Sequence, residues 1–315
     1  MEKIRLGISA CLLGENVRYD GGNTHDRFLT DTLGKYVEYV PICPEVECGL
    51  PVPREAMRLE GDLVSPRLIR THTREDMTDR FMKWSETRAA ELDEEDLCGF
   101  IFKSRSPSCG IERVKVYDER GVPAKKGTGM FAKAFIKRFP LIPVENEDRI
   151  YDPELWENFI ERIFTLRRWR DAAAKGKTRG DLVAFHTIHK LQVLSHSTKH
   201  YRLMGSLVAK ANELPIKELY RQYQILLMEV VQLKATPKKN TNVLMHMMGY
   251  FKKELTSGEK QELLEVIDNY RMGYIPLIMP VTLINHYARK YDRPYLKGQI
   301  YLNPHPMELQ LRNHV

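Results

Sequence analysis

Cysteine is scarce in this chain: there are five among 315 residues, and the odd number argues against a disulfide framework. Paired Cys-x-x-Cys hooks and local four-cysteine runs are missing too, so spacing alone selects no particular metal. No apolar stretch approaches the roughly 20 residues of a bilayer span. The opening Met-Glu-Lys-Ile-Arg-Leu runs straight into a predicted strand and lacks a signal peptide's apolar segment. The expectation is a cytoplasmic protein, in which cysteines stay reduced and those that cluster serve metals or catalysis. Neither a repeat of fixed period nor a low-complexity tract is present.

What is present divides into two halves. At 43% apolar and 29% charged residues, the chain has enough core-forming material for two domains. Residues 1–150 carry 24 Lys and Arg against 26 Asp and Glu, a net of −2, whereas residues 151–315 carry 25 against 16, a net of +9. All the excess positive charge belongs to the second half, which points to a polyanionic partner there, against the plainer alternative of a solvated basic surface.

The first half alternates predicted strands (4–9, 37–42, 63–69, 98–103, 112–117 and 141–144) with helices (25–35, 73–92 and 129–138). Strands separated by helical segments imply an α/β domain with a Rossmann-like open, mostly parallel sheet. Thr71 or Thr73 is the expected cap of the second helix. Between Pro140 and Pro153 the pattern breaks, which places domains at 1–145 and 151–315. Beyond it the periodicity is helical, as in the stripe Leu155, Phe159, Ile163 and Leu166, so the second half is expected to be all-α.

Three cysteines stand where predicted strands give out: Cys11 after 4–9, Cys43 after 37–42, and Cys109 in the loop following 98–103. In an open α/β sheet, ligands bind in the crevice outside the carboxyl ends of the strands. Three soft sulfur ligands converging there indicate a metal or an iron–sulfur cluster, with inert buried cysteines and a zinc site as the alternatives. Cys98 lies inside an apolar run and reads as a small buried hydrophobe; Cys48, five residues after Cys43, is either a fourth ligand or a bystander.

The segments Ser-Ala-Cys-Leu-Leu-Gly at 9–14, Val-Arg-Tyr-Asp-Gly-Gly at 17–22, Cys-Pro-Glu at 43–45 with Gly-Leu-Pro-Val-Pro-Arg at 49–54, and Ser-Pro-Ser-Cys-Gly at 106–110 resemble the thiouracil desulfidase family. Through Phe185-His186, His189-Lys190 and Ser195-His196, the second half resembles the helical domain fused to it in bacterial proteins that remove sulfur from 4-thiouridine in tRNA. This resemblance implies a 4Fe–4S cluster held by Cys11, Cys43 and Cys109, with the fourth iron open to substrate. It implies Glu45 as the acid–base residue and Ser106 as a catalytic serine that orients water or relays a proton. The implied reaction is a hydrolytic exchange of sulfur for oxygen at the base, with no external redox partner. Arg18, Asp20, Arg54, Lys103 and Ser108 flank the same loops, and an adjacent pair such as Arg54 and Glu55 reads as a surface salt bridge.

Arg167, Arg168, Arg170, Lys175, Lys177 and Arg179, with Trp169 among them, form the expected RNA-binding set. The partner is then tRNA, with neither DNA nor a membrane expected. Two other readings are a desulfidase of free thiobases or thionucleotides and a non-enzymatic iron–sulfur sensor that binds nucleic acid; the sensor requires four protein ligands and hence Cys48. His186 and His189, spaced i,i+3, lack a Glu-x-x-His partner and are expected to serve caps, core hydrogen bonds or phosphate contacts.

Overall fold

Strand β1, Ile4–Ser9, is buried along nearly its whole length, and its sequence Ile-Arg-Leu-Gly-Ile-Ser lacks the strict polar alternation of a strand with one wet face. It is the kind of strand that lies central in a parallel sheet, and in the computed structural model, which describes residues 3–309 and 311–314, it does so. Next in the chain come β2 (Val37–Ile42), the short helix α1 (Pro44–Glu47), β3 (Met57–Glu60), β4 (Arg67–Arg70), α2 (Thr78–Glu91), β5 (Phe100–Phe102), β6 (Val114–Tyr117), β7 (Pro123–Gly127), α3 (Met130–Arg138) and β8 (Val144–Asn146). The first sheet has the order β2-β1-β5-β8, and every pair in it is parallel.

The chain goes from β1 to one side for β2 and returns to the other side for β5. The carboxyl ends of β1 and β5 therefore flank a topological switch point, where open α/β sheets bind their ligands. Register keeps those ends level, since Ser9 stands opposite Ile42 and Ile8 opposite Ile101. Packing behind the sheet is aromatic: Phe100 and Phe102 stack with ring centroids 3.9 Å apart, and Phe131 and Phe135 of α3 meet them edge-on. Gly7 permits this, because a Cβ there would come 2.2 Å from the Phe100 ring.

The sequence pattern implied one mostly parallel sheet; the structure has a second, mixed sheet of order β4-β3-β6-β7. The expected strand 63–69 is in fact the Met57–Glu60/Arg67–Arg70 hairpin, with Gly61 at φ 91°. Its strands are four residues each, too short for a period to register. Strand β7, with Pro123 and two lysines, carries little β propensity and is an edge. The expected helix 25–35 is a π turn, Phe28–Thr32, followed by a 3-10 turn, Leu33–Lys35. Helix α2 starts at Thr78 rather than 73, because Arg74 takes a left-handed φ of 60° and the Thr73 hydroxyl donates to Glu55 instead of capping. Leu59, Leu68, Val114 and Val116 of this sheet pack with Cys48 and Phe81 in a core of their own.

Contacts divide the chain into two units, one ending at Asp152 and one beginning at Pro153. The second unit is helical: α4 (Pro153–Lys175), α5 (Arg179–His196), α6 (Thr198–Ala209), α7 (Ile216–Gln232), α8 (Pro237–Met248), α9 (Ser257–Arg271), α10 (Ile278–Lys290) and α11 (Pro294–Lys297). Capping boxes open α5 at Thr178/Asp181 and α9 at Thr256/Glu259, each satisfying otherwise orphaned N–H groups. Its core holds a buried ionic network. Burial alone would raise Glu161 and lower His196, but their 3.2 Å pairing reverses both, leaving Glu161 below and His196 above its ordinary value. No helix among the described residues is long and apolar enough to cross a membrane.

Candidate active site

A cavity of about 390 Å³ opens at the switch point, and Cys11, Cys43, Cys109, Glu45 and Ser106 all line it. The three cysteines arrive from three different strand ends. Cys11 lies in the 3-10 turn leaving β1, Cys43 is the residue before α1, and the Ser106–Gly110 loop follows β5. That last loop is fixed by its own hydroxyl, since Ser106 Oγ accepts from Ser108 N at 3.3 Å and Cys109 N at 3.2 Å. Gly129 presses against it from behind: a Cβ there would stand 2.5 Å from the Ser108 carbonyl.

Glu45 is the electrostatic hub. Its carboxylate accepts from the Ser108 hydroxyl at 2.5 Å and from the Cys43 thiol at 3.6 Å, and the Arg54 guanidinium stands 3.8 Å away. The single Ser108 proton is committed to Glu45, so the Ser106 hydroxyl donates to Ser108 Oγ at 2.8 Å. The result is a relay from the cavity wall through Ser106 and buried Ser108 to Glu45. Arg54 also donates to Val17 O at 2.9 Å and is nearly buried. It does not pair with Glu55, whose carboxylate instead accepts from the backbone and hydroxyl of Thr73.

Burial raises the Cys11 thiol above its ordinary range. Burial and then the Glu45 carboxylate push Cys43 up to about 12, and the same two causes hold Cys109 well above its usual value. All three are thus neutral thiols at pH 7, and a metal must displace their protons on binding. The donor set suits a soft, thiolate-held group. A lone zinc requires its ligand atoms within about 2.3 Å of one point. Among the described residues, no group of three or more His, Cys, Asp or Glu side chains is arranged to hold a single metal ion. Cys11, Cys43 and Cys109 nonetheless line the one cavity.

Cys48 stands apart. It is buried in the core of the second sheet, and its thiol donates to the Arg80 carbonyl at 3.9 Å. Cys98 is fully buried. Two functional neighbours were not assigned roles by the sequence. Ser108 has no local signal, because its partner Glu45 is remote in the chain. Glu147 lies in the stretch between Pro140 and Pro153 where the sequence pattern breaks, yet it is buried, accepts from Ser104 N at 2.5 Å and pairs with Lys103, another residue of the cavity wall.

The expected RNA-binding set is not gathered on one face. Arg168 is turned into the core, donating to Pro304 O at 2.8 Å and Thr165 Oγ1 at 3.3 Å, and burial lowers it to about 10. Arg167 pairs with Asp171 at 2.9 Å, and Arg179 donates to the Ala211 and Leu214 carbonyls. Arg170 is half-buried, and Lys175 and Lys177 are exposed. Trp169 is core, stacked on Tyr223 at 5.1 Å. His186 meets Tyr223 Oη at 3.2 Å and His189 donates to Phe185 O at 2.8 Å, so both serve core hydrogen bonds.

Comparison with known proteins places these observations. Residues 6–147 match the family model described as 2-thiouracil desulfurase, and residues 190–306 match a protein family of unknown function, DUF1722. The chain is 37% identical over 158 residues to the uncharacterized protein YbgA of Escherichia coli (strain K12), a span of 50% of this chain and 94% of that protein. It is 31% identical over 111 residues to the uncharacterized protein YbbK of Bacillus subtilis (strain 168), covering 33% of this chain and 71% of the relative. Among solved structures, the [4Fe-4S]-dependent thiouracil desulfidase TudS is 31% identical, with a TM-score of 0.40, covering 48% of this chain and 95% of that one.

Proposed function

We propose, because this chain belongs to the 2-thiouracil desulfurase family, that it is an iron–sulfur-dependent desulfidase that replaces the sulfur of 4-thiouridine in tRNA with oxygen. The observation that carries this reading is the convergence of Cys11, Cys43 and Cys109 with Glu45 on a single cavity. Those thiols would hold a 4Fe–4S cluster as thiolates. When bound, the cluster supplies a Lewis-acidic iron for the soft thiocarbonyl sulfur.

The chain's own groups do the rest. Glu45 takes a proton from the water that attacks C4 of the base, and its carboxylate is aimed by Ser108 and Arg54. The proton then passes back from Glu45 through Ser108 to Ser106 on the cavity wall as the two hydroxyls turn over, and Ser106 delivers it to the departing sulfur. Water exchanges oxygen for sulfur with no change of oxidation state, so no electron donor enters the balance.

The tRNA part of the reading is supported by charge. Residues 151–315 carry a net of +9, and Lys175 and Lys177 are exposed there. A tethered polyanion-binding unit raises the effective concentration of an RNA substrate at the cavity. Anaerobic incubation of the full chain with thiolated tRNA tests it, following loss of 4-thiouridine absorbance together with sulfide release. Turnover of free 4-thiouracil alone would overturn tRNA as the substrate, and turnover of neither would overturn the desulfidase.

A further inference from the structure

Beside the thiol-lined cavity lies a second, open groove of about 730 Å³, lined by Arg105, Arg113, Lys115 and Lys125. Arg105 belongs to the walls of both. The groove is a product of the second sheet. Val114 and Val116 of β6 point into the core, so Lys115 between them points out, and the register of the β6/β7 pair sets it directly opposite Lys125. Like charges directly opposite on neighbouring strands are destabilising. Among the described residues no ion pair engages Arg113, Lys115 or Lys125, and only Asp148, 3.6 Å from Arg105, tempers the group. A repulsive set of exposed cations kept on one face at the rim of a reaction cavity is built to receive anions.

We propose that Arg105, Arg113, Lys115 and Lys125 form a phosphate-binding groove of the α/β unit, which grips the RNA backbone beside the thiobase seated in the neighbouring cavity. The proposal rests on the desulfidase reading and deepens it, because it places discrimination between RNA and free base next to the reaction itself. A base in the cavity carries its phosphates outward, and Arg105 stands at that exit. Its planar fork suits a phosphate's paired oxygens, while the lysines act as point charges further along the strand.

The test is the double variant Lys115→Gln/Lys125→Gln in the cluster-loaded full chain. It removes two repelling charges, so thermal stability should be unchanged or higher. The ratio of kcat/KM on thiolated tRNA to that on free 4-thiouracil should fall about tenfold. The slope of log affinity against log salt for unmodified tRNA should drop by about 0.7 to 1 per lysine. An equal loss on 4-thiouridine 5′-monophosphate would assign the groove to the substrate's own phosphate; a loss confined to tRNA would assign it to flanking phosphates. An unchanged kcat/KM ratio with an unchanged salt slope overturns the groove. If the unsubstituted protein turns over no thiolated substrate, the desulfidase reading falls, and the salt slope still decides whether the groove binds phosphate.

Discussion

The hydroxyl of Ser108 donates to the carboxylate of Glu45 at 2.5 Å, although 63 positions separate the two residues in the chain. This bond ties the loop after β5 to the helix after β2, and so joins the residue beside Cys109 to the residue that faces Cys43. Glu45 and two of the three thiols are thereby held as one assembly.

Glu45→Gln keeps an acceptor for Ser108 but cannot carry a proton. It should retain the cluster's brown absorbance and lose about 10²- to 10⁴-fold in kcat, the range of general acid–base catalysis. Ser108→Ala leaves the acid in place and frees its aim, so kcat should fall about 10-fold or more with KM nearly unchanged. Steady-state kinetics on a thiolated substrate read both, and full activity in Glu45→Gln would remove Glu45 from the proton transfer.

The cysteines divide by position. Cys11→Ala, Cys43→Ala and Cys109→Ala should each abolish cluster absorbance and activity after anaerobic reconstitution. Cys48→Ala should keep both, at a cost of about 1 kcal/mol in stability from its lost packing in the second-sheet core. Iron content per chain scores the series. Loss of iron in Cys48→Ala would revive the four-ligand sensor.

Gly129→Ala should act at a distance from any reacting atom. Its Cβ would stand 2.5 Å from the Ser108 carbonyl, so the loop bearing Cys109 must shift. Iron retention and turnover should fall while the far-ultraviolet dichroism of the chain stays as it was. A variant that holds a full complement of iron would show that the loop gives way harmlessly.

Acid should loosen the helical unit through three imidazoles. Burial lowers His186 and His305 to about 4 and His189 to about 3, against 6.5 when free. Below pH 6.5 the unfolded chain takes up protons that the folded chain refuses, so stability is lost as pH falls. The slope is about 1.4 kcal/mol per pH unit for each imidazole until its folded value is reached. His196 works in the opposite sense, because its raised value makes its contribution complete below pH 6.5. Glu161, held below its ordinary value, keeps its contribution above pH 4.5. Denaturant melts at pH 7 and pH 5 measure the difference, and His189→Asn should flatten it; an unaltered pH dependence in that variant would exonerate His189.

The sequence made Cys11 and Cys109 visible because β1 and β5 are buried on both faces and read as apolar runs, and the chain after each must emerge at the sheet's edge; Cys43 was visible from the Val-rich run of β2 despite its exposed Glu38 and Pro41. The α/β class with a helical second half was legible for the same reason: each period persists over enough residues to be recognised. Ser108 was not legible in its role, since an interaction across so much chain leaves no local trace. Arg168 misled for another reason. A basic run on a helix distributes its members round the axis, and Arg168 falls on the side facing Thr165 and Pro304 rather than water. The cationic groove stayed hidden because it depends on β7, whose proline and lysines argue against a strand until β6 supplies its partner.

The level register of β1 and β2 has a further reach. Side chains alternate along a strand, so a slip of one residue between β1 and β2 would carry buried Val40 and Ile42 to the opposite face from the one they pack on. Any such error costs the core heavily before it can misplace Cys43. Buried strands thus set where each loop begins, and the loops' own hydrogen bonds then set where each thiol ends.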